Sequence, residues 1–123
     1  MNPNAPKPFK ELLSRYASGE RNFHGADLSE DPEYDVSGVQ LDGVDLSESY
    51  IVAIFRGTSL RGAVFRGSNV MTCDFSGADL TGANFRGAAL CSTTFRGAIL
   101  DGVQIGGAYH HSYTFKDGER PDW

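Results

Sequence analysis

The chain is short of several things that would narrow its function. No apolar run approaches the ~20 residues a helix needs to span a bilayer, so no membrane segment is expected. The opening stretch Met1-Asn2-Pro3-Asn4-Ala5-Pro6-Lys7-Pro8 lacks the apolar core of a secretory signal, which makes the cytoplasm the expected compartment. There are two cysteines. Cys73 precedes Phe75 by two and should face inward as a small core residue, while Cys91 directly follows Leu90 and should face outward. Opposite facings argue against a disulfide, and two isolated cysteines offer no metal-ligand spacing.

Motifs for chemistry are also missing. The sequence holds no G-x-S-x-G elbow for a nucleophile and no G-x-x-x-x-G-K-[ST] loop for nucleotide phosphates. His24 follows Phe23 and should be exposed, and the adjacent His110 and His111 should point to different sides of an extended chain, a poor arrangement for sharing a metal. No catalytic residue, metal or cofactor is assigned on these grounds, and the protein is read as not an enzyme. The net charge of −5, with arginines not interleaved with exposed aromatics, makes direct nucleic-acid binding an unfavoured reading.

What is present in quantity is a repeat. Phe55, Leu60, Phe65, Val70 and Phe75 begin a series of large apolar residues that continues by fives, eleven in all, to Ile105. Two residues before each centre stands something small or modest, such as Ala53, Thr58, Ala63, Ser68 and Cys73. Two residues after it there is very often a glycine, as at Gly57, Gly62 and Gly67. Such fixed periods set the architecture before any local element does.

A period of five fits neither regular element. A helix turns about 100° per residue, so residues five apart drift around its axis. A strand alternates faces with period two, so they fall on opposite sides. Within one repeat, however, the centre and the small residue two before it share a face. If the chain then turns a corner, the next pair can face inward as well, and glycine suits that corner. Coils stacked about 4.8 Å apart pair their backbones like strands. The expected fold is an all-β solenoid.

Ala26-Asp27-Leu28, Ala78-Asp79-Leu80 and Ala83-Asn84-Phe85 resemble the motif of the pentapeptide-repeat family, Ala-Asp/Asn-Leu/Phe followed by two small or polar residues. The resemblance covers roughly residues 21–108. It implies a right-handed β-helix with four sides and twenty residues per coil; the alternation of Phe with aliphatic centres has period ten and leaves two or four sides open. On four sides, Phe55, Phe75, Phe95 and Phe115 would stack in one ladder and Phe65 on Phe85 in the opposite one. The resemblance also suggests a bacterial source. Some members protect DNA gyrase by presenting a long acidic rod that resembles duplex DNA; this chain is shorter, basic in its middle and without a dimerising C-terminal helix.

Along the chain, residues 1–8 read as a flexible N-terminus. Phe9, Leu12, Leu13 and Tyr16 mark one face of a short helix, ended by Gly19, so residues 9–19 are expected to cap the first coil. Residues 20–115 form the β-helix of about five coils, and residues 116–123 a tail in which Trp123 folds back onto the last coil. Leu28 to Val36 is eight residues instead of five, placing a loop insertion near 29–35, whereas Ile51 to Phe55 is only four.

Charge is unevenly spread. Residues 20–50 carry nine acids and one base, whereas residues 51–100 carry two acids and five arginines. Arg56, Arg61, Arg66, Arg86 and Arg96 each directly follow a repeat centre and point outward. They read either as a solvated face or as a site for carboxylate or phosphate. Glu30, Asp31, Glu33 and Asp35 form a candidate acidic contact loop. The function expected is a rigid, non-enzymatic binding surface for an unidentified protein. The alternatives are a DNA-mimicking topoisomerase modulator and a purely structural role. Oligomeric state is open.

Overall fold

The computed structural model describes residues 9–30 and 34–123. The expected flexible N-terminus, residues 1–8, lies outside the described residues, as do Asp31, Pro32 and Glu33 of the loop.

From Asn22 onward the chain winds into stacked coils joined by parallel bridges. Ile54 pairs with Asp74 and Asp74 with Thr94; Ser59 pairs with Asp79 and Asp79 with Ile99. Val64, Asn84 and Gln104 form a third column, and Asn69, Ala89 and Tyr109 a fourth. The step is twenty residues with a corner every five, so the coil has four sides. In chain order we number these sides from the one carrying Val64 and Asn84; the second carries Asn69 and Ala89, the third Asp74 and Thr94, the fourth Asp79 and Ile99.

Both irregularities of the repeat reappear in the register. Pairs spanning the short step from Ile51 to Phe55 are nineteen apart, as in Gln40 with Ser59 and Asp45 with Val64. Pairs spanning the long step after Leu28 are twenty-three apart, as in Asn22 with Asp45 and Asp27 with Tyr50. Each length change is absorbed at one corner while the flanking sides keep their alignment.

The five-residue motif is a recipe for a corner. The centre's carbonyl accepts the N–H three residues on, from Thr58 to Phe55 at 3.1 Å and from Ser68 to Phe65 at 3.0 Å. The residue two after the centre has positive φ, 66° at Gly57 and 67° at Gly67. That pairing is the signature of a type II turn, which favours glycine there. The Asp or Asn before the centre ties the same corner: its side chain accepts the N–H two residues on, as Asp74 does from Ser76 at 2.8 Å and Asn84 from Arg86 at 2.9 Å. Three corners place a side chain where glycine belongs, at Glu48 (φ 55°), Thr72 (φ 68°) and Ser92 (φ 63°). A β-branched residue is the most strained of these. Thr72→Gly is therefore expected to raise stability by about 1 kcal/mol in urea titration, the relief of strain exceeding the entropy glycine loses on folding.

The inner positions fill the axis. Phe55, Phe65, Phe75 and Phe85 are sealed from solvent, with Ala63, Ala78 and Ala83 between them. The rings form two ladders on opposite sides. Phe75 stacks on Phe55 at 5.0 Å and on Phe95 at 5.2 Å; Phe65 stacks on Phe85 at 4.9 Å, and the ladders meet edge to face.

Hydroxyl and thiol groups at some small positions repair irregular corners in the coil before. Ser68 Oγ donates to Leu46 O at 2.5 Å and accepts from Ser49 N–H at 3.1 Å, replacing the turn bond missing at the Glu48 corner. Cys73 Sγ donates to Ile51 O at 3.3 Å, at the corner one residue short. Cys73 is thus more than a small filler. Burial pushes its thiol up to about 12, so it is not a nucleophile at neutral pH.

At the N-terminal end, helix α1 (Phe9–Ala17) buries Phe9 and Leu12. Phe9 stacks on Tyr34 at 5.4 Å and meets Phe55 edge-on at 6.0 Å. The helix stops in a Schellman motif, with Glu20 N–H donating to Arg15 O, Gly19 N–H to Tyr16 O, and Gly19 at φ 104°. Tyr16 Oη donates to Asp42 O at 2.6 Å, fixing the helix to the coils.

The C-terminal end departs from the expected regular coil. Parallel pairing ends at Ala89–Tyr109; Tyr109–His110 then pairs antiparallel with Tyr113–Thr114. Phe115 does not extend the Phe55–Phe75–Phe95 ladder. Trp123 lies edge-on to Phe95 at 6.1 Å, and its carbonyl accepts Phe95 N–H at 2.6 Å. Trp123 therefore folds back as expected, but in the place Phe115 was to take. The corner after Tyr109–His110 carries no glycine, and His111 turns it at φ 55°, sending the chain back on itself.

Candidate functional site

The arginines sit where the repeat places them, one residue past a centre and outside the coil. Arg66 and Arg86 share the corner between the first and second sides in adjacent layers, linked by Gly67 N–H donating to Arg86 O at 2.8 Å. They rim a groove of about 370 Å³ that runs along the glycines of that corner, Gly67, Gly87 and Gly107. Glycine suits this corner, with φ 67° at Gly67, and the Glu48 carboxylate lies across it. At the far end Asp117 Oδ1 accepts Gly106 N–H at 3.0 Å, and Oδ2 pairs with Arg86 at 3.2 Å. The corner reads acid, arginine, arginine, acid.

The other three arginines divide. Arg56 holds Asp74 Oδ2 with Nη2 at 2.6 Å and Nε at 3.2 Å. Partial burial alone would push the Asp74 carboxyl up, but hydrogen bonds from Ser76 and Arg56 outweigh it and hold the group below its ordinary value. Arg61 stands 3.9 Å from Asp79, a looser pair. Arg96 and Arg66 make no ion pair with any described residue. The repeat makes the five alike; among the described residues three are engaged and Arg66 and Arg96 carry no ion pair.

Of the acidic loop, Asp31 and Glu33 lie outside the described residues and Glu30 is exposed. Asp35 ties its own corner, accepting Ser37 N–H at 2.8 Å, and that bonding holds its carboxyl below the usual range.

A second concavity, which the sequence did not signal, lies at the C-terminal end. About 490 Å³ in volume, it is lined by Tyr113, Phe115, Glu119, Arg120 and Trp123 among others. Tyr113 Oη donates to Glu119, which also accepts Lys116 N–H at 2.8 Å. His110 and His111 do not diverge as expected: the turn brings their rings within 4.4 Å, and His110 also lies against Trp123 at 4.2 Å. Among the described residues no group of three or more His, Cys, Asp or Glu is placed to hold a metal. Both cysteines are free thiols, and Cys91 is half-buried with Sγ accepting His111 N–H at 3.1 Å, so it is less outward than expected. No described helix is long and apolar enough to cross a membrane.

Comparison with known proteins agrees with this geometry. The family model for pentapeptide repeats matches residues 73–109 in eight copies. No curated protein matches the sequence. Among solved structures, alr5209, a pentapeptide repeat protein from Nostoc Pcc 7120, is 30% identical, with 98% of this chain and 93% of that one covered at a TM-score of 0.50. A pentapeptide repeat protein from the Arabidopsis thaliana thylakoid lumen is 29% identical over 69% of this chain and 68% of its own, at a TM-score of 0.44. Full-length QnrB1, a plasmid-mediated fluoroquinolone resistance protein, shares the fold at 14% identity, with 71% of each chain covered and a TM-score of 0.53. Members of this group form right-handed four-sided β-helices. With near full-length coverage at 30% identity, added to the twenty-residue register and the corner motif, the chain belongs to the pentapeptide-repeat family.

Proposed function

We propose that this protein is a non-enzymatic interaction module whose β-helix presents arginines on rigid corners to an acidic surface of a partner protein. One observation carries the reading: Arg66, free of ion pairs among the described residues, and Arg86 stand in adjacent layers at the rim of one groove. Their backbones are locked by inter-coil bonds, so docking has only the side chains to order. Their corners are one layer apart, about 4.8 Å in backbone, and arginine's planar fork suits carboxylates. In this reading α1 caps the first coil, the parallel β-helix runs from residue 20 to Tyr109, and the hairpin and tail after it close the other end. The protein works in the cytoplasm of a bacterium and needs no cofactor.

The duplex-mimic alternative has less to draw on. Mimicry needs acids displayed along the whole rod. Here Asp27, Asp45, Asp74 and Asp79 each accept the N–H of their own corner, and the middle of the chain is basic.

The test is affinity capture from host lysate with three forms of the protein. The partner is expected to be retained by wild type and by Asp31/Glu33/Asp35→Ser, and lost by Arg56/Arg66/Arg86/Arg96→Ser. Loss with the acidic variant alone would overturn the arginine reading, and a topoisomerase as the captured partner would favour mimicry. Arg66→Ser with Arg86→Ser should leave stability within about 0.5 kcal/mol, because exposed ion pairs contribute little. A larger loss in urea titration would make the arginines structural.

A further inference from the structure

One N–H in every repeat stands outside the ladder between coils, that of the residue just after a centre. The Asp or Asn before the centre commonly takes it: Asp45 accepts from Ser47 at 2.9 Å, Asp79 from Thr81 at 3.1 Å and Asn84 from Arg86 at 2.9 Å. At two corners without such a residue, a carboxylate from elsewhere in the chain takes the N–H instead. Ser59 stands before Leu60, and Asp42 of the preceding coil accepts Arg61 N–H at 3.0 Å. Partial burial alone would push the Asp42 carboxyl up, but bonds from Ser59 and Arg61 N–H, helped by the Arg61 charge, hold it below its ordinary value. Gln104 stands before Ile105, and Asp117 accepts Gly106 N–H at 3.0 Å while pairing with Arg86.

At the Arg66 corner Val64 offers no acceptor, and Arg66 N–H has no partner among the described residues. The same N–H is open at Asp42, Arg56, Cys91 and Asp101. Two of these are themselves acids, Arg56 gives its guanidinium to Asp74, and the corner of Cys91 carries no arginine. Arg66 alone joins an open corner N–H to a guanidinium with no ion pair among the described residues. We infer that this corner binds one carboxylate, an Asp or Glu side chain of the partner protein, with one oxygen on Arg66 N–H and the other on the Arg66 guanidinium. Arg86, one layer on, is already shared with Asp117, so Arg66 is the arginine left to the incoming acid. Resting on the arginine reading, this seat deepens it: the partner must reach a particular amide, and Val64 is the residue that leaves it uncovered. Glu48 adds a condition. Its carboxylate lies across Gly67 as a like charge beside the seat, so an acid with a basic neighbour fits better than a bare acid.

The experiment is an NMR titration of the full chain with N-acetyl-aspartate N-methylamide, the group Asp117 presents, at constant ionic strength. The Arg66 amide proton is expected to move downfield and saturate, with the neutral asparagine analogue about tenfold weaker. Val64→Asn supplies the missing corner tie while keeping both arginines. Asp45 and Asn84 hold the same place in the layers on either side, so this variant should fold unchanged and bind the probe about tenfold more weakly. Glu48→Gln should tighten binding about twofold, the effect of removing one screened like charge. A Val64→Asn response equal to wild type, with loss in Arg66→Ser/Arg86→Ser, would overturn the seat and leave the arginine reading standing. A wild-type Arg66 amide that does not move, or shifts centred on Arg96, would overturn the seat too, while the arginine reading is decided separately by capture from lysate.

Discussion

Phe75→Ala is expected to lower the unfolding free energy by about 3–5 kcal/mol, read from the midpoint shift in urea titration at constant slope. Phe75 is wholly buried and is held on four sides by rings: stacked between Phe55 and Phe95, and edge-on to Phe65 and Phe85. Removing it leaves a ring-sized void on the axis. The void cannot collapse readily, because the backbone around it is pinned by bonds to coils on both sides: Phe75 N–H donates to Thr94 O at 2.9 Å, and Phe55 N–H donates to Asp74 O at 2.7 Å. In a stack where each layer touches only its neighbours, the loss falls on two interfaces at once. A change under about 1 kcal/mol would show that the ring is not buried, and would remove the stacked ladder from the account of this fold.

Ser68→Ala should cost about 2–4 kcal/mol, a large effect for the loss of one oxygen. The hydroxyl serves two backbone groups of the preceding coil, accepting from Ser49 N–H at 3.1 Å and donating to Leu46 O at 2.5 Å. Both lie inside, Ser49 being 3% exposed and Leu46 sealed. Elsewhere such groups bond each other across the corner, as Ala63 N–H and Leu60 O do at 3.1 Å. At the Glu48 corner they do not, and alanine would leave a buried donor and a buried acceptor unmet. Alanine at the regular positions Ala63 or Ala83 carries no such penalty, which makes the comparison a sharp one. Ser68→Thr keeps the oxygen and should recover most of the loss. Equal stability of Ser68→Ala and wild type would mean that Ser49 and Leu46 re-form the ordinary turn bond by themselves.

The ladders, the loop after Leu28 and the tightened corner at Ile51 were legible because each is a property of spacing. A residue five further on meets the same local chemistry, so Ala-Asp-Leu reads as an inward small residue, a corner tie and a core centre wherever it recurs. The repairs were not legible. Nothing near Ser68 or Cys73 in the chain marks them as partners of Leu46 and Ile51, twenty-two residues before. The site was half legible. All five arginines lie outside as the repeat demands, but Asp117 reaches Arg86 from thirty-one residues away and Asp74 takes Arg56 from eighteen.

By itself, then, the sequence determined a β-solenoid with its large residues inward, its arginines outward and its irregular corners at two named steps. These follow from a five-residue code that acts within one turn, where steric and hydrogen-bond preferences are local. Only the tertiary structure decided that the coil has four sides on this chain's own register, and that of the five corner arginines Arg66 and Arg96 make no ion pair with a described residue. It also decided that Trp123 and a hairpin come to rest against the last layer. These depend on which coil lies beside which and where the tail comes to rest, relations between residues twenty or more apart that a pattern with period five does not encode.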